Sequence, residues 1–124
     1  MNSKNTINWF EIPVNNFERA ISFYESILDI KLARENMDDI DLAIFPADKE
    51  AVSGALIKAD FLQPGDQGSL VYLNVEGKMD DVIGRAQGRG SNVLFPKTNL
   101  GEPGYIAHIS DSEGNKIALH SMTE

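Results

Sequence analysis

The sequence predicts an α+β fold made of two tandem β-α-β-β-β modules, and three observations lead there. A strand-like alternation passes straight into an amphipathic helical stripe near the start of the chain, the same handover recurs beyond its midpoint, and a Pro- and Gly-rich stretch lies between them.

The first strand runs from Thr6 to Val14, with Phe10, Ile12 and Val14 on one face and Ile7, Trp9, Glu11 and Pro13 on the other. Asn15 is placed to cap a helix whose third residue is Glu18, and Ala20, Ile21, Tyr24, Ile27 and Leu28 follow at helical spacing. Three short strands are predicted near Lys31 to Glu35, Ile40 to Phe45 and Gly54 to Ala59. The segment Gln63-Pro64-Gly65-Asp66-Gln67-Gly68 reads as a linker. The plan then repeats: Ser69 to Val75 alternates, Met79 to Gln87 carries Val82, Ile83 and Ala86 on one stripe, and Gly88 and Gly90 end that helix. Strands near Asn92 to Phe95, Tyr105 to Ser110 and Asn115 to Ser121 close the chain.

The halves align: Val14 and Val75 lie 61 residues apart, and Ala55-Leu56 and Ala118-Leu119 lie 63 apart. Neither half of ~60 residues buries much apolar surface alone, so two sheets facing each other, with a groove between them, is the expected arrangement. The predicted organisation is one domain over residues 1–124: module one at about 5–62, a linker at about 63–68 and module two at about 69–122.

Composition narrows the function classes. Lys plus Arg total 11 against 19 Asp plus Glu, and this net charge of −8 repels nucleic acid and anionic lipid. No apolar run approaches the ~20 residues of a membrane helix. The absence of cysteine removes disulfides, thiolate metal sites and cysteine nucleophiles. The polar start Met1-Asn2-Ser3-Lys4-Asn5 leads into no apolar signal core, so a cytoplasmic protein is expected. No phosphate loop, Gly-x-Ser-x-Gly or dinucleotide fingerprint occurs.

The stretch Trp9-Phe10-Glu11-Ile12-Pro13-Val14-Asn15-Asn16-Phe17-Glu18-Arg19-Ala20-Ile21-Ser22-Phe23-Tyr24 resembles the opening of vicinal oxygen chelate proteins. That superfamily includes glyoxalase I, fosfomycin and bleomycin resistance proteins and extradiol dioxygenases. Asp111-Ser112-Glu113-Gly114-Asn115-Lys116-Ile117-Ala118-Leu119-His120 resembles its closing hairpin. The resemblance implies a cup-shaped, partly open barrel with helices outside and a divalent metal at its centre. It places the metal-ligand positions at Trp9, Ala55, Leu70 and Ala118. Indole N–H is only a donor, and Ala and Leu offer no lone pair, so no metal and no other cofactor is expected there. Two histidines, His108 and His120, are all the chain has.

The resemblance implies that Trp9, Leu70, Tyr72, Asn74 and Ala118 line the cup as ligand-binding residues, with Glu11, His108 and His120 as candidate acid–base groups. Strand alternation puts Trp9 with Glu11, Leu70 with Tyr72 and Asn74, and Ala118 with His120, and a tight turn brings His108 opposite Ala118. Glu11, flanked by Phe10 and Ile12, is expected to be buried; it serves as a base or cation anchor, or is satisfied by a salt bridge or hydrogen bond. The histidines shuttle protons, stay structural, or join Glu11 in a displaced metal site. Trp9 and Tyr72 stack on a ligand or fill the cup.

The stretch Lys97 to Gly104 reads as a connector or a lid; Asp38-Asp39-Ile40-Asp41 reads as a solvated turn, and Asp111 to Asn115 as a hairpin turn. The leading expectation is a metal-free protein that binds a small organic molecule by sequestration, as bleomycin resistance proteins do, and that pairs as a homodimer. The alternatives are a lyase or isomerase related to lactoylglutathione lyase, and a non-catalytic partner-binding module.

Overall fold

A computed structural model describes residues 5–124. The elements are β1 (Trp9–Pro13), α1 (Phe17–Leu28), β2 (Ala33–Met37), β3 (Ile40–Ile44), β4 (Ser53–Lys58), β5 (Val71–Asn74), α2 (Met79–Gly88), β6 (Val93–Asn99), β7 (Tyr105–Ser110) and β8 (Lys116–Ser121). Each half folds into its own four-stranded sheet, ordered β1-β4-β3-β2 and β5-β8-β7-β6. In each, the first strand pairs parallel to the last and the other pairs are antiparallel. This is the predicted α+β architecture of tandem β-α-β-β-β modules.

Local differences have identifiable causes. β1 starts at Trp9 rather than Thr6, because β4 begins at Ser53, directly opposite Trp9. Asn16, not Asn15, caps α1, since its side chain accepts from the Arg19 N–H at 3.0 Å while the Asn15 N–H is drawn to Glu113. β6 runs on to Asn99, so Lys97–Asn99 is strand rather than loop; register shifts on either side of Phe95 absorb Pro96.

Alternation gives each sheet one face against the helices. Ile12, Val14, Ala43 and Leu56 of the first sheet and Leu73, Val75, Ile109 and Leu119 of the second join Tyr24, Ile27, Met79 and Val82 of the helices in one core. The Val, Leu, Ile and Met side chains among these contribute roughly 1.5–3 kcal/mol each on burial. The opposite face of the first sheet carries a smaller cluster of Leu42, Ala55, Ile57 and Ala59.

The modules are also joined by polar contacts. Arg85 of α2 donates from Nε and Nη2 to the Ile27 carbonyl at 3.0 and 2.9 Å, satisfying an acceptor in the last turn of α1. The β7–β8 turn, which does place Gly114 at φ 88°, does more than reverse the chain. The Tyr24 hydroxyl, buried, donates to Asp111 at 2.6 Å, and Asn115 donates from Nδ2 to the Pro13 carbonyl at 2.8 Å. Glu113 accepts from the N–H groups of Asn15 and Asn16 at 2.9 and 2.7 Å and from Arg19 Nε at 2.7 Å. The turn of module two thereby clasps the β1–α1 junction of module one. Among the described residues, no helix is long and apolar enough to cross a membrane.

Candidate functional site

β1 and β5 are edge strands of their sheets, and they border a common cleft of about 1070 Å³. Trp9 and Glu11 line it from β1, and Leu70, Tyr72 and Asn74 line it from β5 and the residue before it. The cleft opens between the two strand edges, so the helix-side positions Phe10, Val71 and Leu73 line it as well, together with Leu28 and Val82 of the helices. Trp9 and Tyr72 are 42% and 50% exposed, so two large aromatic rings stand open to solvent within one concavity. Two such rings in one concavity offer planar apolar surface that a ligand can reach.

Glu11 departs from expectation. It is exposed rather than buried, and its carboxylate accepts from Trp9 Nε1 at 3.2 Å, with no ion pair among the described residues. The carboxylate therefore fixes the indole and keeps acceptor capacity for a ligand. Asn74 is turned inward on its own chain, its Oδ1 accepting from the Glu76 N–H at 2.9 Å.

Several lining residues carry no sequence signature. Phe45, Pro46 and Val52 flank the β3–β4 turn, while Glu76 and Lys78 lie between β5 and α2. Only the module repeat could have found them, because it places the β3–β4 turn and the β5–α2 handover where their counterparts meet in the other half. Glu76 is held by the Met122 N–H at 2.6 Å and the Thr123 hydroxyl at 3.0 Å. The Met122 N–H, then Thr123 and the nearby His120, keep its carboxyl below the usual range against the opposing effect of burial.

The two histidines and Ala118 do not line the cleft. His108 does sit opposite Ala118, which is fully buried. Its ring packs against Phe95 at 5.2 Å and Tyr72 at 6.1 Å between centroids. Nε2 of His108 is buried with no hydrogen-bond partner among the described residues, and burial, followed by the charge of Lys116, pushes its pKa below the ordinary imidazole value. His120 Nε2 lies 2.6 Å from the Pro103 carbonyl, which makes this nitrogen the donor and ties the β6–β7 loop down on β8. The expected wall of one carboxylate and two imidazoles is therefore divided: Glu11 faces the cleft, while one imidazole is packed among aromatics and the other is committed to a loop.

The donor set does not fit a metal. Trp9 and Leu70 line the cleft and Ala55 and Ala118 are fully buried, and none of the four supplies a lone pair to a cation. Among the described residues, no three His, Asp or Glu side chains come close enough to hold an ion, and this includes the displaced trio of Glu11, His108 and His120.

A family model described as the glyoxalase/bleomycin resistance protein/dioxygenase superfamily matches residues 6–119. No curated protein sequence matches the chain significantly. Among solved structures, a glyoxylase/bleomycin resistance protein/dioxygenase domain from Frankia sp. EAN1pec aligns with a TM-score of 0.73 at 19% identity, over 96% of this chain and 93% of its own. Glyoxalase I of Leishmania major, described as trypanothione-dependent, aligns at 0.69 and 14% identity, over 96% and 88%. TnmS3, an antibiotic binding protein from Streptomyces sp. CB03234, aligns at 0.64 and 25% identity, over 98% of both chains.

Proposed function

The chain belongs to the glyoxalase/bleomycin resistance protein/dioxygenase superfamily, and on that premise we propose that it binds a small organic molecule with a planar or aromatic part in the cleft between β1 and β5, without a metal. One observation carries this reading: Trp9 and Tyr72 present exposed rings on the two edges of a single cleft whose size is that of a ligand site. The antibiotic-binding neighbour TnmS3, which aligns over nearly its whole length, supports sequestration as the mode of action. The side chains at Trp9, Ala55, Leu70 and Ala118 support metal independence, because none of them offers a lone pair to a divalent ion. The acid–base lyase reading is weaker, because Glu11 and the two histidines do not share the cleft. A homodimer working in the cytoplasm completes the proposal.

The test uses the one tryptophan. Chelator-treated protein is titrated with planar aromatic compounds while Trp9 emission is followed, and saturable quenching that added zinc or nickel does not change is expected. One tightly bound transition metal per chain by elemental analysis, or binding that appears only after metal is restored, would contradict the proposal.

A further inference from the structure

The hydrogen-bonding pattern of the first strands assigns the cleft a second recognition element besides its rings. The Val14 N–H donates to the Ile57 carbonyl and the Val75 N–H to the His120 carbonyl, each at 2.9 Å, which fixes the phase of both parallel pairs. Phe10, Ile12 and Val14 therefore direct their peptide groups to β4, and Val71, Leu73 and Val75 direct theirs to β8. The peptide groups of Trp9, Glu11, Tyr72 and Asn74 point the other way, off the sheet edges and into the cleft that these residues line. Pro13 confirms the phase, since a residue without an N–H is tolerated on the outward side of an edge strand. Its carbonyl is the one outward group of β1 that is already engaged, by Asn115 of the other module. Among the described residues, no partner engages the peptide groups of Trp9, Glu11, Tyr72 or Asn74 from the cleft side.

A cleft bounded by two free strand edges, with an aromatic side chain on each, recognises an extended chain of amides. We infer that its ligand is a short linear peptide that pairs main chain to main chain along the Trp9–Glu11 edge of β1, with aromatic side chains against Trp9 and Tyr72 and a basic side chain toward the Glu11 carboxylate. Charge complementarity selects this occupant: the Glu11 carboxylate, which makes no ion pair among the described residues, attracts a basic side chain. The inference rests on the cleft being the binding site and goes further by naming what the site reads.

The experiment compares three probes on the full chain: acetyl-Phe-Lys-Phe amide, the same peptide methylated on every backbone nitrogen, and acridine as a planar molecule without amides. Trp9 emission reports affinity and hydrogen exchange reports the Trp9 and Glu11 N–H groups. The expected result is that backbone methylation weakens binding by about tenfold or more, and that the unmethylated peptide slows exchange at Glu11 while acridine does not. Equal affinity of the two peptides, or binding of acridine alone, would overturn the peptide assignment and leave the cleft as a stacking site. Binding of none of the three would remove the cleft reading itself. Slow exchange at Glu11 in the free protein, together with dimer formation in sedimentation, would give the β1 edge to a second copy and also overturn the inference.

Discussion

The two strand-to-helix handovers occupy equivalent places in the repeat, yet one is clasped by the turn of the other module, while the second is held only from its own module, through Glu76 and Gly77, and borders a cleft. Around Pro13 to Arg19, the β7–β8 turn inserts Asp111, Glu113 and Asn115 and satisfies backbone groups, a guanidinium and a buried hydroxyl. Around Val75 to Lys78, the β3–β4 turn brings only Phe45, Pro46, Val52 and Ser53, and a cleft remains. Duplication fixes where a turn and a handover face each other; the side chains of the turn decide whether the space is bridged by hydrogen bonds or stays a cleft.

The largest effect is expected from breaking the clasp at its buried centre. Asp111 accepts from Tyr24, from the N–H groups of Glu113 and Asn115 and from the Asn115 side chain, so Asp111→Ala strands several donors. A loss of roughly 3 kcal/mol or more is expected in urea unfolding; a change under about 0.5 kcal/mol would show that the clasp is not a stabilising contact.

Glu113 gives the clasp a pH dependence. Burial opposes its charge, but Arg19, the N–H groups of Asn16 and Asn15 and the Ser112 hydroxyl together hold its pKa at about 2, below the ordinary 4.5. Because the folded value is depressed, its contribution is complete above about 4.5 and is lost as the pH falls toward 2. Glu113→Gln should lower stability at neutral pH by about 2 kcal/mol and flatten the curve over that window. Parallel curves for variant and parent below pH 4.5 would contradict the assignment.

A smaller loss, about 1 kcal/mol, is expected for Arg85→Ala, whose two hydrogen bonds both go to the Ile27 carbonyl. Thermal melts with and without the substitution measure it. The smallest stability change belongs to the open side: Tyr72→Ala should stay within roughly 0.5 kcal/mol of the parent, because the ring is half exposed, while weakening planar ligands about tenfold. Loss of stability with binding unchanged would turn the ring into packing and refute its role in the site.

The sequence made the modules legible because their signals are local: Phe10-Ile12-Val14 alternates, Ala20-Ile21-Tyr24-Ile27 recurs at helical spacing, and both reappear in the second half. The face shared by Trp9, Glu11, Tyr72 and Asn74 was also readable, since strand parity needs only the correct phase. The clasp was not readable, because Asp111-Ser112-Glu113-Gly114-Asn115 has the composition of an ordinary turn and its partners lie about a hundred residues away. The exposure of Glu11 is not legible for a related reason: neighbours in sequence cannot tell a central strand from an edge, and β1 is an edge. The same holds for His120, whose partner, the Pro103 carbonyl, belongs to a loop without periodicity.

Chemical-shift mapping of the isotope-labelled, chelator-treated protein during titration with a planar aromatic compound tests the cleft most directly. Perturbed amides concentrated on Trp9–Glu11 and Val71–Asn74 are the predicted result. Perturbations centred on His108, Ala118 and His120, or none until a divalent ion is added, would contradict a metal-independent site between the two first strands.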